Sequence, residues 1–303
     1  MIRPLRRTLR EHGIGDAQNA CVNASIESAR AHYARQVTAG VDGGEIGRAL
    51  LEAFARVERE RFLGPPPWRI YSPLDQTVAF ESDPREVYRD ALVVLSADEG
   101  INNGQPSLHA RCLGAVRPHP GDTALHIGAG TGYYSALLAE LVGPSGRVHA
   151  YEIDATLAER AGAALAERPN VTVHAQSAFA APLPAADVVY VNAGASHPPA
   201  EWLAALRHGG RLVFPLTGDD GSGVMLLVER PERASHAERD RARVIAHVQF
   251  IACSGARDAL QAECVSQALA RGGAERVRSL RRATPPDASC WCAGTGWWLS
   301  TDE

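Results

Sequence analysis

Two hydrophobic periods run along this chain, and the place where one gives way to the other divides it. Between Glu45 and Phe54 the apolar positions Ile46, Leu50, Ala53 and Phe54 fall on one stripe, the spacing of a helix half-buried on a core. An Ala- and Arg-rich stretch from Ala20 to Val37 also reads as helical. The second helix must end before Pro65-Pro66-Pro67, where the backbone cannot continue the helical hydrogen bonds. Residues 68–105 are less regular, with turn signals at Ser72-Pro73 and Asp83-Pro84 and one apolar run, Ala91–Leu95. Pro106 then suits the first turn of a helix reaching about Val116.

From Gly121 the texture changes to short apolar runs separated by helical segments. Strands are predicted at Ala124–Ile127, Val148–Glu152, Val171–His174, Val188–Val191, Arg211–Pro215, Val224–Glu229 and Val244–Ile251. Helices are predicted at Tyr134–Leu141, Thr156–Glu167 and Ala200–Leu206. Strands alternating with helices indicate βαβ units, so the expected class is α/β: a Rossmann-like, mostly parallel sheet with helices on both faces. The charged segment Pro231–Arg243 reads as a surface connection. After Ser254 come one more helix, about Asp258–Ala270, and a Trp-rich end from Trp291 to Trp298. The expected organisation is a helical segment and irregular loop over 1–118, a Rossmann-like core over 119–253 and a small C-terminal annex over 254–303.

Composition narrows the chemistry. The chain has 303 residues and a formal net charge of -4, so no global basic field points to nucleic acid. No apolar run is long enough to span a bilayer, and no apolar stretch follows the basic start Met1–Arg7 as a secretory signal requires. All 31 residues counted as Lys or Arg are arginine, which excludes Schiff-base lysines, a P-loop lysine and a Ser-Lys dyad. The six cysteines show no C-x2-C spacing and no His cluster completes a metal site, so no metal is expected. Cys290-Trp291-Cys292 would place two thiols on one face of a strand. Reduced thiols fit a cytoplasmic location.

The sharpest feature is Gly128-Ala129-Gly130-Thr131-Gly132, set between an apolar strand and a helix. Glycines there let the backbone turn tightly and approach a ligand without a β-carbon in the way. The spacing is G-x-G-x-G, which weakens a dinucleotide reading that would require G-x-G-x-x-G. Glu152 ends the next strand about 20 residues on, where a carboxylate accepts bonds from ribose hydroxyls.

These residues carry a resemblance. Leu125-His126-Ile127-Gly128-Ala129-Gly130-Thr131-Gly132-Tyr133 resembles the first motif of class I S-adenosylmethionine-dependent methyltransferases, in the version of the protein-L-isoaspartate O-methyltransferases. Ala53–Leu63 resembles that family's N-terminal helix, and Gln105-Pro106 the end of its Thr-Ile-Ser-Gln-Pro substrate loop. Ala186–Ala193 resembles its fourth motif and Gly209–Pro215 its fifth strand. The resemblance covers roughly residues 45–251 and implies S-adenosyl-L-methionine as cofactor. It implies cofactor contacts from His126, Gly128, Ala129, Gly130, Gly132 and Tyr133, and further on from Glu152, Ile153, Ser177 and Asn192.

Three departures stand out. His126 replaces the family's Glu or Asp, Gln176-Ser177-Ala178 replaces Gly-Asp-Gly, and Gly104 takes the place of the loop serine. A divergent branch with its own acceptor is the expectation.

Methyl transfer from a sulfonium is an in-line displacement, in which the protein aligns the groups and excludes water. A carboxylate acceptor is ionised at neutral pH and needs no base, whereas a hydroxyl or amine needs one. Asn102 and Asn103 are candidate donors to an acceptor, with turn formation as the alternative. His109 and His197 are candidate bases, against a packed helix histidine and a surface loop respectively. Trp297 and Trp298 would either cover the site or pack inside the annex.

Three functions stay open at this point. One is a carboxyl O-methyltransferase acting on a peptide or small-molecule acid. Another is an O- or N-methyltransferase with a histidine base. The third is a noncatalytic cofactor-binding protein. An NAD dehydrogenase is disfavoured by the glycine spacing. No nucleic acid or membrane partner is expected, and the oligomeric state is not legible.

Overall fold

The structure, a computed structural model, describes residues 14–73, 76–97, 100–232 and 239–303. The basic residues 1–7, the side chain of Cys21 and the middle of the charged connection lie outside the described residues.

In chain order, the first helices are α1 (Ile14–Thr38) and α2 (Glu45–Arg56). Four short strands follow: β1 (Trp68–Ser72), β2 (Thr77–Glu81), β3 (Leu92–Ser96) and β4 (Ile101–Asn102). The α/β region contains α3 (Pro106–Val116), β5 (Thr123–Ile127), α4 (Tyr133–Val142), β6 (Arg147–Glu152), α5 (Ala155–Leu165), β7 (Val171–Ala175) and β8 (Ala186–Val191). It continues through α6 (Ala200–Ala205), β9 (Leu206–Thr217), β10 (Ser222–Glu229) and β11 (Arg239–Gln249). The chain closes with α7 (Ala259–Arg271), β12 (Ser279–Arg282), β13 (Cys290–Gly294) and β14 (Trp297–Ser300).

The main sheet has ten strands in the order β13-β14-β12-β11-β10-β9-β8-β5-β6-β7. Its β7-β6-β5-β8-β9 half is parallel, and everything beyond β9 is antiparallel. The order reverses between β5 and β8, and an open α/β sheet forms its ligand crevice at such a switch, beyond the carboxyl ends of the strands. Period-two alternation sorts the sheet into two cores. Val188 and Tyr190 on β8 pack with α1 to α4, whereas Val189 and Val191 pack with α6 and the C-terminal strands.

Four expectations change here. Residues 68–105 form a second, four-stranded sheet, β2-β1-β3-β4. Its strands are five residues or fewer, too short for their periodicity to show in the sequence. The charged connection is shorter than expected, because β11 begins at Arg239 and pairs along β10 with alternating exposure. The segment after residue 254 continues the main sheet through β12, with Trp297 and Trp298 buried in the packing and not over the site. In β13 a register shift between Cys290 and Cys292 breaks the simple alternation that would pair the two thiols on one face.

Candidate active site

At the switch point lies a cleft of about 710 Å³, within the range of small-molecule sites. Three walls meet there: the loop of residues 102–105 with α3, the glycine turn with the ends of β6 and β8, and residues 247–254.

The glycine wall follows from backbone geometry. Gly128 and Gly130 have φ of 72° and 57°, left-handed values that favour glycine. Gly128, Ala129, Gly130 and Tyr133 line the cleft. Gly132 does not, although it was expected to; a β-carbon there would sit 2.7 Å from Leu165 Cδ1, so this glycine serves the packing of α4 on α5. Glu152, 7% exposed, accepts from the Gly130 amide at 2.7 Å and from the Asp154 amide at 3.0 Å. Burial raises its pKa, against these backbone bonds, which lower it. Next to it Ile153 is 58% exposed on the cleft wall, an apolar side chain that a flat aromatic group would cover. Ser177 lines the same end, its Oγ accepting from the Phe179 amide at 3.2 Å while its hydroxyl proton stays available.

His126 lies beneath this wall, not on it. It is fully buried, its Nδ1 2.7 Å from Ser135 Oγ and its Nε2 2.8 Å from Asn192 Nδ2. Burial lowers its pKa to about 3, so the ring is neutral. The histidine that stands for a carboxylate therefore acts by orienting Asn192, which does line the cleft. Asn192 Oδ1 is buried with no partner among the described residues, an acceptor suited to a donor such as an ammonium group. Left-handed glycines, a buried carboxylate, an exposed isoleucine and an orphaned amide oxygen together fit an adenosyl amino-acid cofactor.

The loop wall is held from below. Arg59 is fully buried and donates to the carbonyls of Val87 and Arg89 through Nη1, and of Ala91 through Nη2, all within 2.7 Å. These bonds fix the segment carrying Asp90. The Asp90 carboxylate accepts from the Ser107 amide at 2.8 Å, the Ser107 hydroxyl at 2.6 Å and Gln105 Nε2 at 3.0 Å. Asp90 thus satisfies a free amide at the start of α3 and sets the angle at which α3 presents His109. Sequence reasoning missed both roles: Arg59 stands within the Ala53–Leu63 stretch without a sign of its partners, and Asp90 lies outside any motif.

His109 is 1% exposed and lines the cleft. Its ring stacks on Tyr134 with centroids 3.7 Å apart, and its Nδ1 lies 2.7 Å from the Tyr190 hydroxyl. Burial first, then the neighbouring His126 and Arg59, lower its pKa to about 3. A β-carbon on Gly104 would lie 2.1 Å from His109 Nε2, and Gly104 has φ of 71°. The imidazole therefore occupies the place where a side chain at position 104 would begin. Asn103 is 7% exposed; its Oδ1 accepts from the Val93 amide at 2.8 Å and its Nδ2 has no partner among the described residues. Asn102 Oδ1 accepts from the Gly104 amide, so this amide shapes the turn, the alternative role noted for it.

His197 does not line the cleft; its Nδ1 sits 3.1 Å from Ser196 Oγ, in a loop tied down by Ala256 and Asp258. The third wall was not anticipated. Gly194 donates to Ile251 O at 2.7 Å and accepts from the Cys253 amide at 2.8 Å, which folds residues 250–254 over the strand ends. Burial pushes the Cys253 thiol there up to about 11. Among the described residues no cluster of His, Cys, Asp and Glu could hold a metal ion, and no helix is long and apolar enough to cross a membrane.

Comparison with known proteins is consistent with this geometry. The sequence profile of the family described as protein-L-isoaspartate(D-aspartate) O-methyltransferase matches residues 47–257. A protein-L-isoaspartate O-methyltransferase of Aeropyrum pernix is 33% identical over 198 residues, spanning 64% of this chain and 69% of that protein. One of Rhodopseudomonas palustris is 33% identical over 71% of this chain and 88% of its own length. Among solved structures, a protein-L-isoaspartate O-methyltransferase superposes with a TM-score of 0.57 at 22% identity, covering 78% of this chain and 68% of its own. A putative Plasmodium falciparum enzyme of the same kind, in complex with S-adenosyl-L-homocysteine, gives a TM-score of 0.55 at 17% identity, covering 75% and 97% respectively.

Proposed function

The chain belongs to the protein-L-isoaspartate(D-aspartate) O-methyltransferase family, and from that premise we propose that it methylates a carboxylate on an acidic peptide or small acid other than a generic isoaspartyl peptide. It is an S-adenosylmethionine-dependent methyltransferase. When bound, the cofactor supplies a methyl group on a positively charged sulfur. The observation that carries the reading is a single cleft joining the glycine turn and Glu152 to the 102–105 loop and α3.

Within it, Glu152 would accept from the ribose hydroxyls, Ile153 and Ser177 would flank the adenine, and Asn192 Oδ1 would take the amino-acid ammonium. The loop and α3 would hold the acceptor. Once cofactor and acceptor fill the cleft, displacement of water from it would limit hydrolysis. A carboxylate acceptor arrives ionised, with pKa near 4. That suits a site whose nearest histidine is held neutral down to about pH 3 and is a weak base. The reading with a histidine base loses its second candidate as well, since His197 stands outside the cleft.

The acceptor is expected to differ from the family's because position 104 has no side chain and the His109 ring fills that space. The test is tritium transfer from S-adenosylmethionine to an isoaspartyl peptide, its aspartyl isomer and a panel of small carboxylic acids. Transfer to an acid with poor use of the isoaspartyl peptide is expected. A kcat/KM on the isoaspartyl peptide equal to that of the Aeropyrum pernix relative would overturn the divergent reading.

A further inference from the structure

The acceptor end of the cleft carries donors and no anion. Among the described residues lining it, the carboxylates are Glu152 and Asp154, both beside the glycine turn. On the α3 side the lining includes Arg111, which is exposed and makes no ion pair among the described residues.

Two neutral N–H groups belong to the same loop-and-α3 wall. The Tyr190 hydroxyl is fully buried, and its hydrogen-bond partner among the described residues is His109 Nδ1. A buried hydroxyl proton without an acceptor costs about 1–3 kcal/mol, so the hydroxyl donates and Nδ1 accepts. A neutral imidazole carries one proton, which must then sit on Nε2. That nitrogen abuts Gly104 at the bend of the loop, and stacking on Tyr134 keeps the ring from turning away. The Asn103 amide is oriented by the Val93 N–H, which requires the oxygen at that end. Its Nδ2 is left as a buried donor without a partner among the described residues. Ordered water or a ligand completes such a group, and this one lies on the cleft wall.

We propose that His109 Nε2–H and the Asn103 side-chain amide are the two donors that seat the carboxylate of the methyl acceptor, with Arg111 drawing the anion into the cleft. This deepens the carboxyl-transfer reading and rests on it. One acceptor oxygen takes the two bonds. The other attacks the methyl carbon as the carbon–sulfur bond breaks and its electron pair stays on sulfur. The products are a methyl ester and a neutral thioether, and no proton moves. An ammonium acceptor offers these donors no lone pair, and an alcohol lacks the charge that strengthens the bonds. His109 is on this account a donor that positions the acid, not a base.

The experiment uses the full chain labelled with nitrogen-15 histidine, saturated with S-adenosylhomocysteine and titrated with N-acetyl-L-aspartate. The expected spectrum shows His109 protonated on Nε2 and bare on Nδ1 at neutral pH, with the Nε2–H signal moving saturably as the acid binds. Asn103→Asp keeps an oxygen for the Val93 amide but replaces the donor with an anion. It should weaken acid binding by about tenfold or more while S-adenosylhomocysteine affinity holds within about twofold. If that variant does not fold, Tyr190→Phe serves instead: without the hydroxyl the tautomer preference is lost, and acid binding weakens with it. A proton on Nδ1 in the native protein, acid binding that leaves His109 unmoved, or unchanged acid affinity in the folded variant would each overturn the proposal. Failure of the carboxyl-transfer reading looks different: a base-stable methylated product, whatever the tautomer.

Discussion

Restoring a side chain at position 104 tests the packing of the acceptor loop. In Gly104→Ser the new β-carbon would lie 2.1 Å from His109 Nε2 and 2.8 Å from its Cδ2, inside any allowed contact. The ring has no easy retreat, because Tyr190 holds one edge at 2.7 Å and Tyr134 covers one face at 3.7 Å. Overpacking of this kind costs about 1–3 kcal/mol. The left-handed backbone at position 104 adds about 1–2 kcal/mol for any residue with a β-carbon. The expected destabilisation is therefore about 2–5 kcal/mol. At about 2–4 °C per kcal/mol this lowers the midpoint by roughly 4–20 °C. The assay is a double-mutant cycle with His109→Ala, followed by thermal and urea unfolding. Removing the imidazole should relieve the clash and leave only the backbone cost, giving a coupling of about 1–3 kcal/mol. Additivity within about 0.5 kcal/mol, or a Gly104→Ser protein as stable as the native one, would refute the packing described here.

Other outcomes follow from the same geometry. Glu152→Ala should weaken S-adenosylhomocysteine binding by about 1–3 kcal/mol in calorimetry while leaving circular dichroism unchanged; undiminished affinity would detach the carboxylate from the cofactor. Arg59→Met leaves the carbonyls of Val87, Arg89 and Ala91 unbonded, so unfolding should become easier by about 3 kcal/mol or more, and a loss under about 1 kcal/mol would contradict the clamp. His109 and His126 both have folded pKa values near 3, below the ordinary 6.5, so the unfolded chain binds more protons between those values. Stability is then complete above about pH 6.5 and is lost as pH falls toward 3. The combined slope approaches about 2.7 kcal/mol per pH unit, and His109→Gln should halve it. A flat profile in urea unfolding across that window would show that the two rings are not buried neutral.

Much of this was legible in the residues. The glycine turn, the parallel strands around it and Glu152 could be placed because each rests on local pattern: apolar runs of strand length, a G-x-G-x-G turn and a carboxylate at a strand end. What escaped depends on contacts distant in sequence. Gly104 reads in the sequence as a missing hydroxyl; that its space is filled by the ring of His109 depends on how α3 is rotated, which Asp90 fixes from an unrelated segment. Tyr190 sits in an apolar strand, where its hydroxyl was the one sign that a buried partner must exist. His126 looked like a cofactor contact because it stands in the glycine motif, yet strand alternation turns it inward to Ser135 and Asn192. The second sheet was hidden by strands too short to show a period, and the 250–254 wall by long-range backbone bonds that carry no residue signature.

Carboxyl transfer is tested most directly by the chemical lability of the product. The protein is incubated with S-adenosylmethionine bearing a tritiated methyl group and a mixture of acidic peptides and small carboxylic acids. The labelled product is then brought to mild alkaline pH, and volatile methanol is collected. Methyl esters hydrolyse there, so the account predicts that the label leaves as methanol, and that Asn103→Asp lowers its formation by about tenfold or more at subsaturating acid. Label that stays on the acceptor through the alkaline step would place the methyl on a hydroxyl or an amine and contradict the account.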